Sequence, residues 1–144
     1  MRRAVGQLRD LGPVGRARLE RDPAAGLVVE RVLALLDDLA FEINRLVAVT
    51  AGTPPGTPAA ALTAAADGGA RPDTPAAALA AAVRAGLVDQ PLAAALDPPD
   101  GPYHVLLQLC LDTEPEQVAG VVSAATAAYA EYVRQVTAWT SAAS

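Results

Sequence analysis

The sequence has no lysine, and only one cysteine, one histidine, one methionine, one phenylalanine and one tryptophan in 144 residues. Each scarcity excludes something. Cys110 alone can form no intrachain disulfide and belongs to no multi-cysteine metal site. With His104 as the only imidazole, a zinc site would have to gather carboxylates from scattered positions, so neither a metal nor a cofactor is expected. Long apolar runs are absent too. No stretch approaches the roughly 18 uninterrupted apolar residues of a membrane span, and the opening Met1-Arg2-Arg3-Ala4 has no apolar leader segment. The expectation is a cytoplasmic protein without a membrane partner.

Positive charge is also in short supply. The net charge is −5 and the pI about 4.7, which argues against strong RNA binding, because nonspecific nucleic-acid affinity comes from clustered cations that release counterions. Six of the eleven arginines lie in residues 1–21 against Asp10 and Glu20. That segment reads either as a solvated first helix or as a flexible basic arm. The all-arginine usage, with abundant Ala, Pro and Gly, fits a GC-rich coding sequence better than a chemical requirement.

What is plentiful is small and aliphatic. Apolar residues make up 52% of the chain, mostly Ala, Val and Leu, a composition that favours helices in close approach. One domain over 1–144 would bury roughly two-thirds of its unfolded surface. Asp22-Pro23 is a helix start, a capping carboxylate followed by proline at a position that needs no amide partner. From it Val28, Val32, Leu35, Leu36, Leu39, Ile43, Leu46 and Val47 recur at three- and four-residue spacing, predicting one long helix over 22–50 with a wide apolar stripe. Before it, Val5, Leu8, Leu11 and Leu19 give a first helix broken near Gly12 and Pro13.

Residues 51–73, rich in Gly, Pro, Thr and Ala, read as a mobile loop, with a turn or two of helix within 59–66. Thr74-Pro75 opens an alanine-rich helix that stops at Gly86, and Asp89-Gln90-Pro91 opens a short one to about Leu96. A Pro- and Asp-rich turn over 97–102 leads to a short apolar helix over 103–111. Thr113 and Glu116 form a capping box before a helix over about 114–140, striped by Val118, Val122, Ala125, Tyr129, Tyr132, Val133, Val136 and Trp139, with 141–144 as a tail. No segment alternates like a strand. The expected fold is all-α: an up-and-down bundle of two long helices with shorter helices packed on them.

The order of these parts resembles the HepT-like family, toxin partners of minimal nucleotidyltransferase antitoxins. The similarity rests on Asp22-Pro23 and Glu30-Arg31-Val32-Leu33, on Arg84-Ala85-Gly86-Leu87-Val88 with Leu92-Ala93, and on Glu114-Pro115-Glu116-Gln117-Val118 and Tyr129 to Arg134. It spans roughly residues 5–140. The resemblance implies a homodimer, a nucleotidyltransferase-type antitoxin partner, and a ribonuclease site built on an Arg-Asn-x-x-x-His-x-Tyr motif. In that motif the arginine holds the scissile phosphate, the histidine moves protons, and the tyrosine is adenylated by the antitoxin.

This chain departs from the motif. Counted back from Glu114-Pro115-Glu116, Tyr103 takes the arginine position, His104 the asparagine, Gln108 the histidine and Cys110 the tyrosine. A register two residues earlier puts Gly101 and Leu106 at the arginine and histidine positions. Glutamine cannot shuttle a proton near neutrality, and tyrosine is no bidentate phosphate clamp. The expectation is a catalytically degenerate family member acting as a binding or interaction module. Two rivals stand beside it. One is an enzyme that reuses the groove, with His104 supported by Asp100, Asp112 or the acidic cluster Asp37, Asp38 and Glu42. The other is a small-molecule-binding accessory protein of a biosynthetic operon. Bland readings accompany these residues: a structural His104, a buried Cys110, a solvated acidic face, and a tyrosine–tryptophan stripe serving as core or dimer interface. Asn44 and Arg45, polar groups in an apolar helix, could line a pocket between helices.

Overall fold

The computed structural model describes residues 1–12, 14, 16–51, 72–97 and 115–142. Among them the chain forms six helices and no strand: α1 (Arg2–Leu11), α2 (Arg16–Arg21), α3 (Pro23–Ala51), α4 (Pro75–Arg84), α5 (Gln90–Leu96) and α6 (Pro115–Ala142). This is the expected all-α bundle, two long helices with shorter ones packed on them. The loop expected over 51–73, the helix over 103–111 and the Thr113–Glu116 capping box lie almost wholly outside the described residues.

Local chemistry sets the boundaries. Gly12 ends α1 with φ +64°, a left-handed conformation that costs glycine little, and its amide bonds back to Arg9 O at 3.0 Å. Thr74 caps α4 by accepting from the Ala77 amide at 3.2 Å, and Pro75 occupies the first turn. At the other end Gly86, φ +71°, places the Leu87 amide on Ala82 O and its own amide on Val83 O, both at 3.0 Å. This is a Schellman stop whose apolar contact is the buried Leu87. Asp89 caps α5 through the Leu92 amide at 2.9 Å. It also exchanges hydrogen bonds with Gln135 of α6, its amide donating to Oε1 at 2.9 Å and its Oδ2 accepting from Nε2 at 2.8 Å.

The helices pack where small residues let backbones approach. α4 buries Ala78, Leu79, Ala81 and Ala82, and its most extensive packing is on α3. α1 runs antiparallel to α6: Arg2 donates to Thr137 Oγ1 at 2.9 Å, while Leu8 and Gly12 line a cleft with Ala119, Ser123 and Ala127. Contacts between α3 and α6 rise together, Asp37 with Tyr129 and Asn44 with Tyr132, so these two point the same way. The chain therefore goes up along α1 and down along α3, as an up-and-down path requires. Leu8, Val14, Val29, Leu33, Leu36 and Leu87 are fully buried between the helices, and so are Tyr129 and Tyr132, the largest side chains in the core.

The apolar stripe read along α3 is wider than this core. Val32, Leu36 and Val47 are buried, and Leu39 and Ile43 are half-buried. Val28 (45% exposed), Leu35 (46%) and Leu46 (50%) face outward, joined by Leu27 (69%). The sequence pattern correctly marked a helix but assigned one continuous stripe to two surfaces.

Candidate functional site

Two features of the described residues carry the functional reading, a polar seam inside the bundle and the apolar outer face of α3; two open clefts of about 420 and 390 Å³, beside Leu8 and Ser123 and beside Leu79 and Ala93, accompany them. The seam begins with Asn44, the one buried polar side chain among the described core residues, 4% exposed. Its Oδ1 lies 2.7 Å from the Tyr132 hydroxyl, which is also 3.3 Å from Ala40 O. The single phenolic proton goes to the nearer acceptor. One turn earlier on α6 and two turns earlier on α3, Tyr129 donates to Asp37 Oδ1 at 3.4 Å. Tyrosine suits these positions because its ring fills core volume while its hydroxyl reaches the facing helix.

The electrostatics follow from burial. Desolvation pushes the Tyr129 phenol well above its ordinary range, and the negative charge and hydrogen bond of Asp37 push it further. Desolvation raises Tyr132 as well. Because both folded-state values lie above the unfolded value of 10.0, these neutral phenols stabilise the fold fully below pH 10 and lose that contribution as pH rises through their folded values. A spectrophotometric titration at ~295 nm should therefore show Tyr129 and Tyr132 remaining neutral until alkaline unfolding exposes them. Reversible titration of all three tyrosines near pH 10, with the fold intact, would contradict this placement.

The candidate acidic cluster does not converge. Asp37 is half-buried and engaged with Tyr129, whereas Asp38 and Glu42 are exposed. Successive helical residues are ~100° apart, so Asp37 turns inward while Asp38 and Glu42, four apart, share an outer face. Glu42 accepts from Arg45 Nη1 at 3.1 Å, and the Arg45 guanidinium stands 5.4 Å from the centre of the Phe41 ring. The solvated-face reading thus holds for Asp38 and Glu42 and fails for Asp37, because the helix rotates it toward α6. Asn44 does line a cavity, with Asp37, Phe41, Leu79, Leu96 and Tyr129 among its walls. At about 20 Å³ it has room for roughly one water, far below the size of a substrate site.

Tyr103, His104, Gln108 and Cys110, with Asp100 and Asp112, lie outside the described residues. Trp139 packs against the core at the far end of α6 and donates from Nε1 to Ala85 O at 3.2 Å, tying α6 to the stop of α4. The aromatic stripe of α6 is thus core rather than a ligand box. Near it, Glu131 is held down to about pH 2 by hydrogen bonds from Arg134 and Gln135, an exposed cluster beside Asp89. The pairing of Tyr132 with Asn44 escaped the sequence reading. Its only signal was an amide at a core phase of an apolar helix, with a tyrosine at a core phase of another.

The fold and site define an all-α bundle with a tyrosine-filled core and an apolar outer face on its longest helix. No family model, no curated protein and no solved structure matches the chain. Among the described residues no group of three or more His, Cys, Asp or Glu side chains could hold a metal ion, and no helix is long and apolar enough to cross a membrane.

Proposed function

We propose that this chain is a HepT-like bundle that has lost the family's ribonuclease chemistry and works by binding protein, with a second copy of itself as the first partner. The observation that carries the reading is the exposure of Leu27, Val28, Leu35 and Leu46 on α3. Large aliphatic side chains grouped on one helix mark an interaction surface more often than an isolated exposed leucine does. A nucleotidyltransferase-type antitoxin is the heterologous partner that the resemblance implies. The substitutions at Tyr103 and Gln108 remove the phosphate clamp and the proton shuttle, and the acidic balance disfavours RNA as a ligand.

The enzymatic alternative is weakened on its acidic side. Asp37 is turned into the tyrosine seam, away from Asp38 and Glu42, and the cavity it lines is about 20 Å³. The test is direct. Purified protein incubated with generic single-stranded RNA in the presence of a chelator should leave the RNA intact, as should its His104→Ala variant. Cleavage by the natural sequence that disappears in His104→Ala would overturn the proposal.

A further inference from the structure

The outer face of α3 is self-complementary in an antiparallel sense. Projected at ~100° per residue, Val28, Leu35, Leu39 and Leu46 fall within ~40° of one line, with Arg31 and Glu42 along the same flank. Val28, Leu35, Leu46, Arg31 and Glu42 are exposed, and Leu39 is half-buried. The line from Val28 to Leu46 is about 27 Å long at 1.5 Å per residue.

Resting on the homodimer proposed above and naming its surface, we infer that two copies pair through α3, antiparallel, about a two-fold axis beside residue 37. That axis sets Val28 against the partner's Leu46 and Leu35 against the partner's Leu39. It also sets Arg31 against the partner's Glu42, and every contact occurs twice, as an isologous interface requires. A two-fold axis perpendicular to both helices keeps each flank facing the same flank, so the apolar line meets itself and the two charge signs alternate correctly along the rim. In a parallel pairing the two-fold runs along the helices and carries the charged flank of one copy to the side opposite its partner's, so Arg31 and Glu42 would find no partner across the interface. Charge complementarity thus selects a second copy over an unrelated apolar partner. The two Asp38 carboxylates flank the axis toward solvent, where water and salt screen them. A single helix pair is small among stable interfaces, so association lies in the roughly micromolar range.

The experiment is sedimentation equilibrium of the full chain and four variants, with circular dichroism to verify the fold of each. Leu35→Asp should weaken the dimer by about 100-fold or more, since each copy sets a carboxylate in the apolar seam. Arg31→Glu and Glu42→Arg should each weaken it by about tenfold, and the double variant R31E/E42R should restore affinity to near that of the natural sequence. Because these side chains are exposed, the helical signal should be unchanged in every variant. Rescue by the double reversal identifies a second copy, because an interface with a different protein or with another segment of this chain has no reason to be restored. A dimer untouched by all four substitutions would overturn the α3 surface and leave homodimerisation standing. A monomer at every concentration would overturn both.

Discussion

Tyr132→Ala should lower the stability of the fold by about 3–5 kcal/mol, the range for emptying a large aromatic site in a core. Tyr132 is 0% exposed and among the largest fully buried side chains of the described core, so its removal leaves a void that the surrounding helices cannot fill without shifting. The same change strands the buried Oδ1 of Asn44, which loses a 2.7 Å hydrogen bond. Tyr132→Phe separates the two terms, because it keeps the ring and removes only the hydroxyl. It should cost about 1–3 kcal/mol, the desolvation of an acceptor left without a donor. Asn44→Ala combined with Tyr132→Phe should cost less than the two single changes together, since neither partner is then left unpaired. Urea unfolding followed by circular dichroism measures all four. Small domains are stable by about 5–15 kcal/mol, so the alanine variant stands close to unfolding, while a loss below about 1 kcal/mol would contradict the seam.

The second large effect contrasts neighbouring residues. Leu36→Ala should destabilise by about 2–5 kcal/mol, because Leu36 is 0% exposed in the packing of α3. Leu35→Ala should leave monomer stability within about 0.5 kcal/mol, because Leu35 is 46% exposed and alanine is the better helix former. Measured below the dissociation constant of any dimer, the pair reads out which side of α3 faces inward. Equal losses at both positions would mean that the stripe is one buried surface after all.

That contrast also shows where the sequence was legible. Helix starts and stops were readable because each has a local cause: Thr74 with Pro75, Asp89 and the left-handed Gly86 sit where the pattern placed them. The all-α bundle followed from periodicity alone. Which aliphatic residues face the core did not, because periodicity records that a helix has an apolar side without saying what covers it. Val28, Leu35 and Leu46 share spacing with Val32, Leu36 and Val47 and differ only by a rotation that tertiary packing fixes.

The acidic residues teach the same lesson in polar terms. Asp37, Asp38 and Glu42 lie close in sequence, and proximity made them one cluster. The helical turn sends Asp37 to Tyr129 and leaves Glu42 with Arg45. Conversely, Tyr132 and Asn44 are 88 residues apart, and nothing local joins them. Under the proposed HepT-like reading, the positions around His104 carry their argument in residue type alone: a glutamine where that family's proton shuttle would stand and a tyrosine where its guanidinium would.

The central claim is that this bundle acts by association through an exposed face, and the most direct measurement is the molecular mass of the untagged natural chain by sedimentation velocity across ~1–500 μM, a range that brackets a micromolar dissociation constant. The account predicts reversible, concentration-dependent growth from a 14.6 kDa monomer to a dimer that goes no further, because an isologous contact closes on itself. A single monomeric species throughout, or open-ended growth into larger assemblies, would contradict it.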